Sequence, residues 1–163
     1  MEKFKKDILN LLCEDSRYTA DKIAVMLGKP PADVKAAIKD MEQSGVIVKY
    51  SALISGERAG LDTVEALIEV RVTPQKSKGF DNIAAEIYRF PEVRSCYLMS
   101  GGFDLAVFIA GKTLKEVAMF VSEKLSILEN VVATSTHFIL KKYKLEGVVT
   151  EEQEDVKRIP FNP

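Results

Sequence analysis

Apolar positions over the first 45 residues recur at helical spacing, and beyond them the period falls to two. Phe4, Ile8, Leu11 and Leu12 share one face of a first helix. Thr19 is placed to cap a short second helix in which Ile23, Ala24 and Leu27 fall together, and Gly28 is placed to end it. Lys29-Pro30-Pro31 leads into a third helix, where Pro31 is tolerated in the first turn. Its stripe is Val34, Ile38 and Met41, and Gly45 closes it. Helix, helix, short turn, helix is the spacing of a helix-turn-helix, and equally that of a plain three-helix bundle.

Residues 46–54 (VIVKYSALI) are β-branched and aromatic and predict a strand leading out of the helical part. Residues 55–60, polar with two glycines, predict a boundary. Val64, Ala66, Ile68, Val70 and Val72 then alternate with Glu65, Leu67, Glu69, Arg71 and Thr73, a half-buried antiparallel strand that Thr73-Pro74-Gln75-Lys76 ends. Phe80, Ile83, Ala84 and Ile87 return to helical spacing, with Pro91 as the stop. Residues 96–111 (CYLMSGGFDLAVFIAG) predict two strands joined by a tight turn, with Gly101 and Gly102 supplying positive φ. Val93, Ser95, Tyr97 and Met99 are expected on one strand face, and Leu105, Val107 and Ile109 on one face of the next. Thr113-Leu114-Lys115-Glu116 is a capping box opening a helix with an inner stripe of Val117, Phe120, Val121 and Leu125. Residues 131–143 form the last strand, with Val132, Thr134, Thr136, Phe138 and Leu140 on one face.

The order βαββαβ is ferredoxin-like, so the chain is expected to be α+β: a helix-turn-helix of winged-helix-like type followed by that sheet domain. With both helices on one sheet face, Cys96, Leu98, Phe108, Ile139 and part of Val131 are expected bare on the other. An apolar face of that size calls for a second copy of the chain, a homodimer. The implied division is 1–54 for the helical domain with its exit strand, 55–62 for a linker, 63–145 for the sheet domain and 146–163 for a tail. That tail is acidic first and then carries Ile159 and Phe161, which suit docking on a neighbouring subunit as well as disorder.

Charge adds little. The net charge is −1, and residues 1–60 carry ten Lys/Arg against nine Asp/Glu, so DNA binding has to be argued from shape. No apolar run approaches membrane-spanning length and no signal-peptide core opens the chain, which leads us to expect a cytoplasmic protein. Cys13 and Cys96 are far apart in apolar segments and read as small buried thiols in a reducing compartment. His137 is the single histidine and reads as a packed strand residue. Without a nucleophile set, metal-ligand spacing or phosphate loop, no catalytic residue, metal or cofactor is expected. On the third helix, Lys35 and Lys39 are four apart and share a face that could meet phosphates or guanine edges, or simply solvent.

Several short stretches, taken as a series, resemble the Lrp/AsnC (feast/famine) family of transcriptional regulators. They are Asp7-Ile8-Leu9, Leu12 through Arg17, Ile23-Ala24, Leu27-Gly28 and Gly45 through Tyr50. Ser100-Gly101-Gly102-Phe103-Asp104 and Val131 with Thr134 and Thr136 complete the series, over about residues 4–143. The resemblance implies a DNA-binding regulator of double-stranded DNA with no enzymatic role. Its recognition helix would run over residues 31–44, with Lys29, Ala32, Lys35, Ala36 and Lys39 as DNA contacts. It further implies an effector site for a free amino acid between subunits, lined by Ser100, Gly101, Gly102, Phe103, Asp104, Thr134 and Thr136, in a homodimer that can build an octamer. Exposed N–H groups of a glycine turn suit a carboxylate, and Asp104 or a threonine hydroxyl suits an ammonium. Asp104 equally suits a structural turn cap. Pro30 stands where the family commonly has a capping serine, the recognition helix lacks arginine, and Gly102 replaces a side chain that is charged in many members. Two alternatives share the layout: a siroheme-decarboxylase-like enzyme of the haem pathway, and an architectural DNA-binding protein without an effector.

Overall fold

The computed structural model describes residues 2–73 and 79–150. The chain divides into two compact units, one ending at Leu53 and the other beginning at Ile54.

The first unit holds α1 (Lys3–Glu14), α2 (Ala20–Leu27) and α3 (Pro31–Gln43). Ile8, Ile23, Ala24, Val34, Ala37 and Met41 form its core, with Phe4, Leu11, Leu12, Leu27 and Ile38 around it. Ala37, absent from the expected stripe, is buried one position before Ile38 because the helix presents a face, not a line, to its neighbours. Local chemistry sets the ends. The Thr19 side chain accepts from the Lys22 N–H at 3.2 Å, and Gly28 closes α2 with φ 61°, the left-handed turn that glycine adopts without strain. Pro30 at the α3 N-cap makes no side-chain hydrogen bond.

The strand expected over 46–54 does not form. Ile47 packs on the three-helix core, and its N–H reaches the Met41 carbonyl at 3.0 Å. Beyond it Val48 is 87% exposed and Ile54 60%. A strand exists only as part of a ladder, and among the described residues no other segment pairs with this one.

The second unit is built on β1 (Val64–Val72), α4 (Asp81–Ile87), β2 (Val93–Leu98), β3 (Leu105–Gly111), α5 (Leu114–Phe120) and β4 (Val131–Phe138). The strands lie in the order β2-β3-β1-β4, with every neighbouring pair antiparallel. This is the ferredoxin-like arrangement the strand and helix order predicts. One sheet face (Ala66, Ile68, Val70, Val72, Leu105, Val107 and Ile109) packs with Ile83, Ile87, Val117, Phe120 and Leu125. Each fully buried aliphatic or Phe side chain there contributes about 1.5–3 kcal/mol. Thr113 Oγ1 accepts from the Glu116 N–H at 3.1 Å, while Glu116 Oε2 reaches back to the Lys112 N–H at 2.7 Å, one residue before the usual capping-box partner. Past Phe120 the helix loosens into a π-helical turn over Val121–Leu125, closed by Ser126 N–H on the Val121 carbonyl at 2.8 Å.

Four expectations change here. First, β2 carries a register shift between Val93 and Ser95, so Val93 and Cys96, three apart, both face the helices, opposite Ile109 and Val107. Val93 is therefore not on the face of Ser95 and Tyr97. Second, Cys96 and Val131 pack against the core. Leu98 pairs with Leu105 and so shares their side of the sheet. The open face instead alternates Glu65, Glu69, Arg71, Ser135 and His137 with Leu67, Tyr97 and Phe108, a mixed surface and not a bare apolar one. Third, Gly101 and Gly102 do not have positive φ, since the link between β2 and β3 spans the six residues 99–104 and is no tight turn. Fourth, β4 ends at Phe138. The following residues fold back as a hairpin of β5 (Lys144–Leu145) and β6 (Val148–Val149), whose turn residues Glu146 and Gly147 have φ 47° and 83°. This hairpin opens the stretch read above as a tail. Residues 74–76, expected to end the first strand, and Ile159 and Phe161 lie outside the described residues.

Candidate nucleic-acid interface and ligand loop

In the helical unit, burial of Val34, Ala37 and Met41 turns the opposite side of α3 outward. Ala32, Lys35, Ala36 and Lys39 are all exposed there, and Lys29 is exposed in the turn before it. Ala32/Ala36 and Lys35/Lys39 are i, i+4 pairs, so small and cationic side chains run side by side along the outward face. Lys35 is engaged: its Nζ lies 2.9 Å from Asp21 Oδ1 on α2. Asp40, the next residue after Lys39, holds Lys5 of α1 at 2.6 Å. The connection before α2 is fixed by Asp15, which takes Nε and Nη2 of Arg17 at 2.9 and 2.8 Å. The Arg17 guanidinium holds the Asp15 carboxyl well below the usual range, at about 2. Lys22 stands over the Tyr18 ring at 4.3 Å, another cation near the helix-turn-helix that periodicity did not single out.

In the sheet unit, the loop 99–104 is held at both ends. The Met99 N–H donates to the Asp104 carbonyl at 2.8 Å, and the Asp104 N–H to the Val70 carbonyl at 3.0 Å. The Asp104 carboxylate then accepts the Val72 N–H at 2.9 Å. Val72 follows the register shift in β1, so its N–H needs a partner from outside the ladder. Asp104 is thus a structural cap in this chain. Thr134 pairs with Val70 from the other side, so the loop root and Thr134 stand at one level of the sheet, two strands or about 10 Å apart. Thr134 Oγ1 is 3.4 Å from Ser126 Oγ at the end of the π-helical turn. Thr136, opposite Ile68, lies two residues further along.

Ser100, Gly101 and Gly102 are exposed, and Phe103, Asp104, Thr134 and Thr136 are half-buried. Two cavities lie elsewhere on this unit. A cleft of about 720 Å³ opens at the opposite end of the sheet, among Leu61, Glu65, Lys112, Ile139 and Lys142. A hollow of about 270 Å³ lies between α5 and the end of β3. Neither is lined by these residues. The sequence reading also passed over Arg71, whose Nε donates to the Gly102 carbonyl at 3.1 Å. As a solvent-side position of an alternating strand it gave no signal.

His137, expected packed, is exposed: on the open sheet face its Nε2 lies 3.3 Å from Glu69 Oε1 and 3.4 Å from Ser135 Oγ. Cys13, expected buried, is exposed, whereas Cys96 is partly buried and burial pushes its thiol up. Among the described residues, no group of three or more His, Cys, Asp and Glu could hold a metal, and no helix is long and apolar enough to cross a membrane.

Residues 1–48 match a family of winged helix-turn-helix DNA-binding domains, and residues 65–149 match the Lrp/AsnC ligand binding domain. The chain is 50% identical over 158 residues to the HTH-type transcriptional regulator YugG of Bacillus subtilis, covering 96% of this chain and 95% of that one. It is 34% identical over 134 residues to a proline dehydrogenase transcriptional activator of Rhodobacter capsulatus, covering 82% and 86%. Among solved structures, it resembles the regulator NMB0573 of Neisseria meningitidis in complex with L-Met, with TM-score 0.71 and 26% identity over 91% of this chain and 96% of that one.

Proposed function

The chain belongs to the Lrp/AsnC family of transcriptional regulators, and from that premise we propose that a free amino acid, bound at the 99–104 loop, sets its affinity for DNA. It is a DNA-binding regulator with a ligand-binding domain, not an enzyme, and its relatives lend no support to the decarboxylase alternative. The observation that carries the effector reading is the loop itself. Among the described residues the N–H groups of Ser100, Gly101, Gly102 and Phe103 make no hydrogen bond, which leaves a row of donors suited to a carboxylate. An ammonium is then served by Asp104 or by Thr134. A related regulator, NMB0573, is described as a complex with L-Met, which supports this class of ligand.

On the DNA side, α3 enters the major groove, with Lys29, Lys35 and Lys39 at phosphates or guanine edges and Ala32 and Ala36 allowing close approach. Self-association completes the reading. Residues 46–54 are a strand sequence without a strand partner among the described residues, and a second copy supplies one by two-fold antiparallel pairing. A ligand loop open on one side in a single chain is then closed by a neighbouring subunit. The DNA half is tested by fluorescence anisotropy with DNA from upstream of the protein's own gene. Binding is expected to weaken as salt rises, and the Lys35→Ala/Lys39→Ala variant is expected to lose most of it. Unchanged affinity in that variant would remove α3 as the reading helix.

A further inference from the structure

We infer that Arg71 takes the carboxylate of the bound amino acid, so that the effector is held as a zwitterion beside the glycine loop; this rests on the effector reading above. Arg71 is exposed at the register shift of β1, and its Nε donates to the Gly102 carbonyl at 3.1 Å. Among the described residues that is the one hydrogen bond of its side chain, which makes no ion pair. A guanidinium tethered through Nε keeps its two terminal NH2 groups as a planar fork, the shape that matches a carboxylate.

Arg71 on β1 and Asp104 in the loop leading into β3 each stand one position beyond the Val70–Leu105 pair, yet they do not form an ion pair with each other. Each is tied to backbone instead: Arg71 to the Gly102 carbonyl, Asp104 to the Val72 N–H. Opposite charges that are close but held apart suit a ligand carrying both. The loop beside them is also open. A Cβ added at Gly101 or Gly102 would meet no atom within 4 Å, and neither glycine has positive φ. Nothing in this chain's fold demands glycine there, whereas a ligand lying against the backbone does. Bracing the loop would use only the Nε bond and leave the charged fork without a counterpart.

The test is calorimetric titration of the full-length protein with each of the twenty free amino acids, then of every binder against its α-carboxamide. It is run on the wild type, Arg71→Met and Arg71→Lys. The wild type is expected to prefer acid over amide by roughly 10- to 100-fold. Arg71→Met should lose that factor for the acid and stay within about twofold for the amide, which abolishes the preference. Arg71→Lys, a point charge in place of a fork, should fall between. If Arg71→Met weakens acid and amide equally, or Arg71→Lys leaves the preference whole, Arg71 only braces the loop and the proposal is overturned while the amino-acid reading stands. If none of the twenty binds the wild type, both fall.

Discussion

Replacing Asp104 by alanine isolates what its carboxylate does for the fold. The Val72 N–H it accepts, at 2.9 Å, belongs to a residue 6% exposed and sits where β1 shifts register, so no strand neighbour replaces the lost acceptor. A buried donor left unpaired costs about 1–3 kcal/mol. The backbone bonds of Asp104 to Met99 and Val70 survive the substitution, so the loop keeps its path and the loss is confined to that N–H. For a domain of this size 1 kcal/mol corresponds to roughly 4–8 °C, which predicts a fall in melting temperature of about 8–16 °C for a midrange loss of about 2 kcal/mol. Asp104→Asn keeps a neutral acceptor and should recover about half. The assay is thermal unfolding followed by circular dichroism without amino acid, at one protein concentration because self-association shifts the midpoint. An Asp104→Ala protein melting within 1 °C of wild type would refute the idea that this carboxylate holds the loop to β1.

Asp21→Asn should raise DNA affinity several-fold, because it frees Lys35 and removes a negative charge beside the phosphates. Its effect on stability should stay within about 0.5 kcal/mol, since both partners are mostly exposed; anisotropy titrations and a melting curve measure the two. Lys35→Ala should lower the salt slope of binding by about one. A maleimide reagent at neutral pH should label exposed Cys13 quickly and Cys96 slowly, since burial raises the Cys96 thiol pKa and packs it against the core; mass spectrometry of the labelled peptides reads the order. Stability should fall in acid. The Arg17 hydrogen bond depresses Asp15 to about 2, and the Lys124 hydrogen bond lowers Glu92. Groups with depressed folded values stabilise above the unfolded carboxylate range near pH 4 and lose that contribution as pH falls towards 2. Arg17→Ala should flatten that part of a melting-temperature profile.

What the chain discloses about itself follows the range of the interactions. Caps at Thr19, Gly28 and Thr113, and the alternation from Val64 to Val72, depend on neighbours within a few residues, and they stand where the spacing puts them. Cys96 went to the wrong face because a register shift against β3 is decided by pairing and leaves no mark on the β2 sequence. Residues 46–54 have strand composition, but a ladder needs a partner and the described residues of the single chain offer none. The Glu146-Gly147 turn did carry a local signal, a glycine between Leu145 and the Val148-Val149 pair, that was read as the start of a tail. At the candidate sites, glycine content pointed to residues 100–104. Arg71 and the Asp21–Lys35 pair became visible only when distant elements met, across 31 residues for Arg71 and Gly102.

The central claim is that one free amino acid and DNA are coupled through this protein. It is tested most directly by titrating full-length protein onto its upstream DNA at fixed salt, with and without each of the twenty amino acids. At least one of them should shift DNA affinity by about 5- to 150-fold, a coupling of about 1–3 kcal/mol. DNA affinity left unchanged by all twenty would contradict the account and leave an architectural DNA-binding protein in its place.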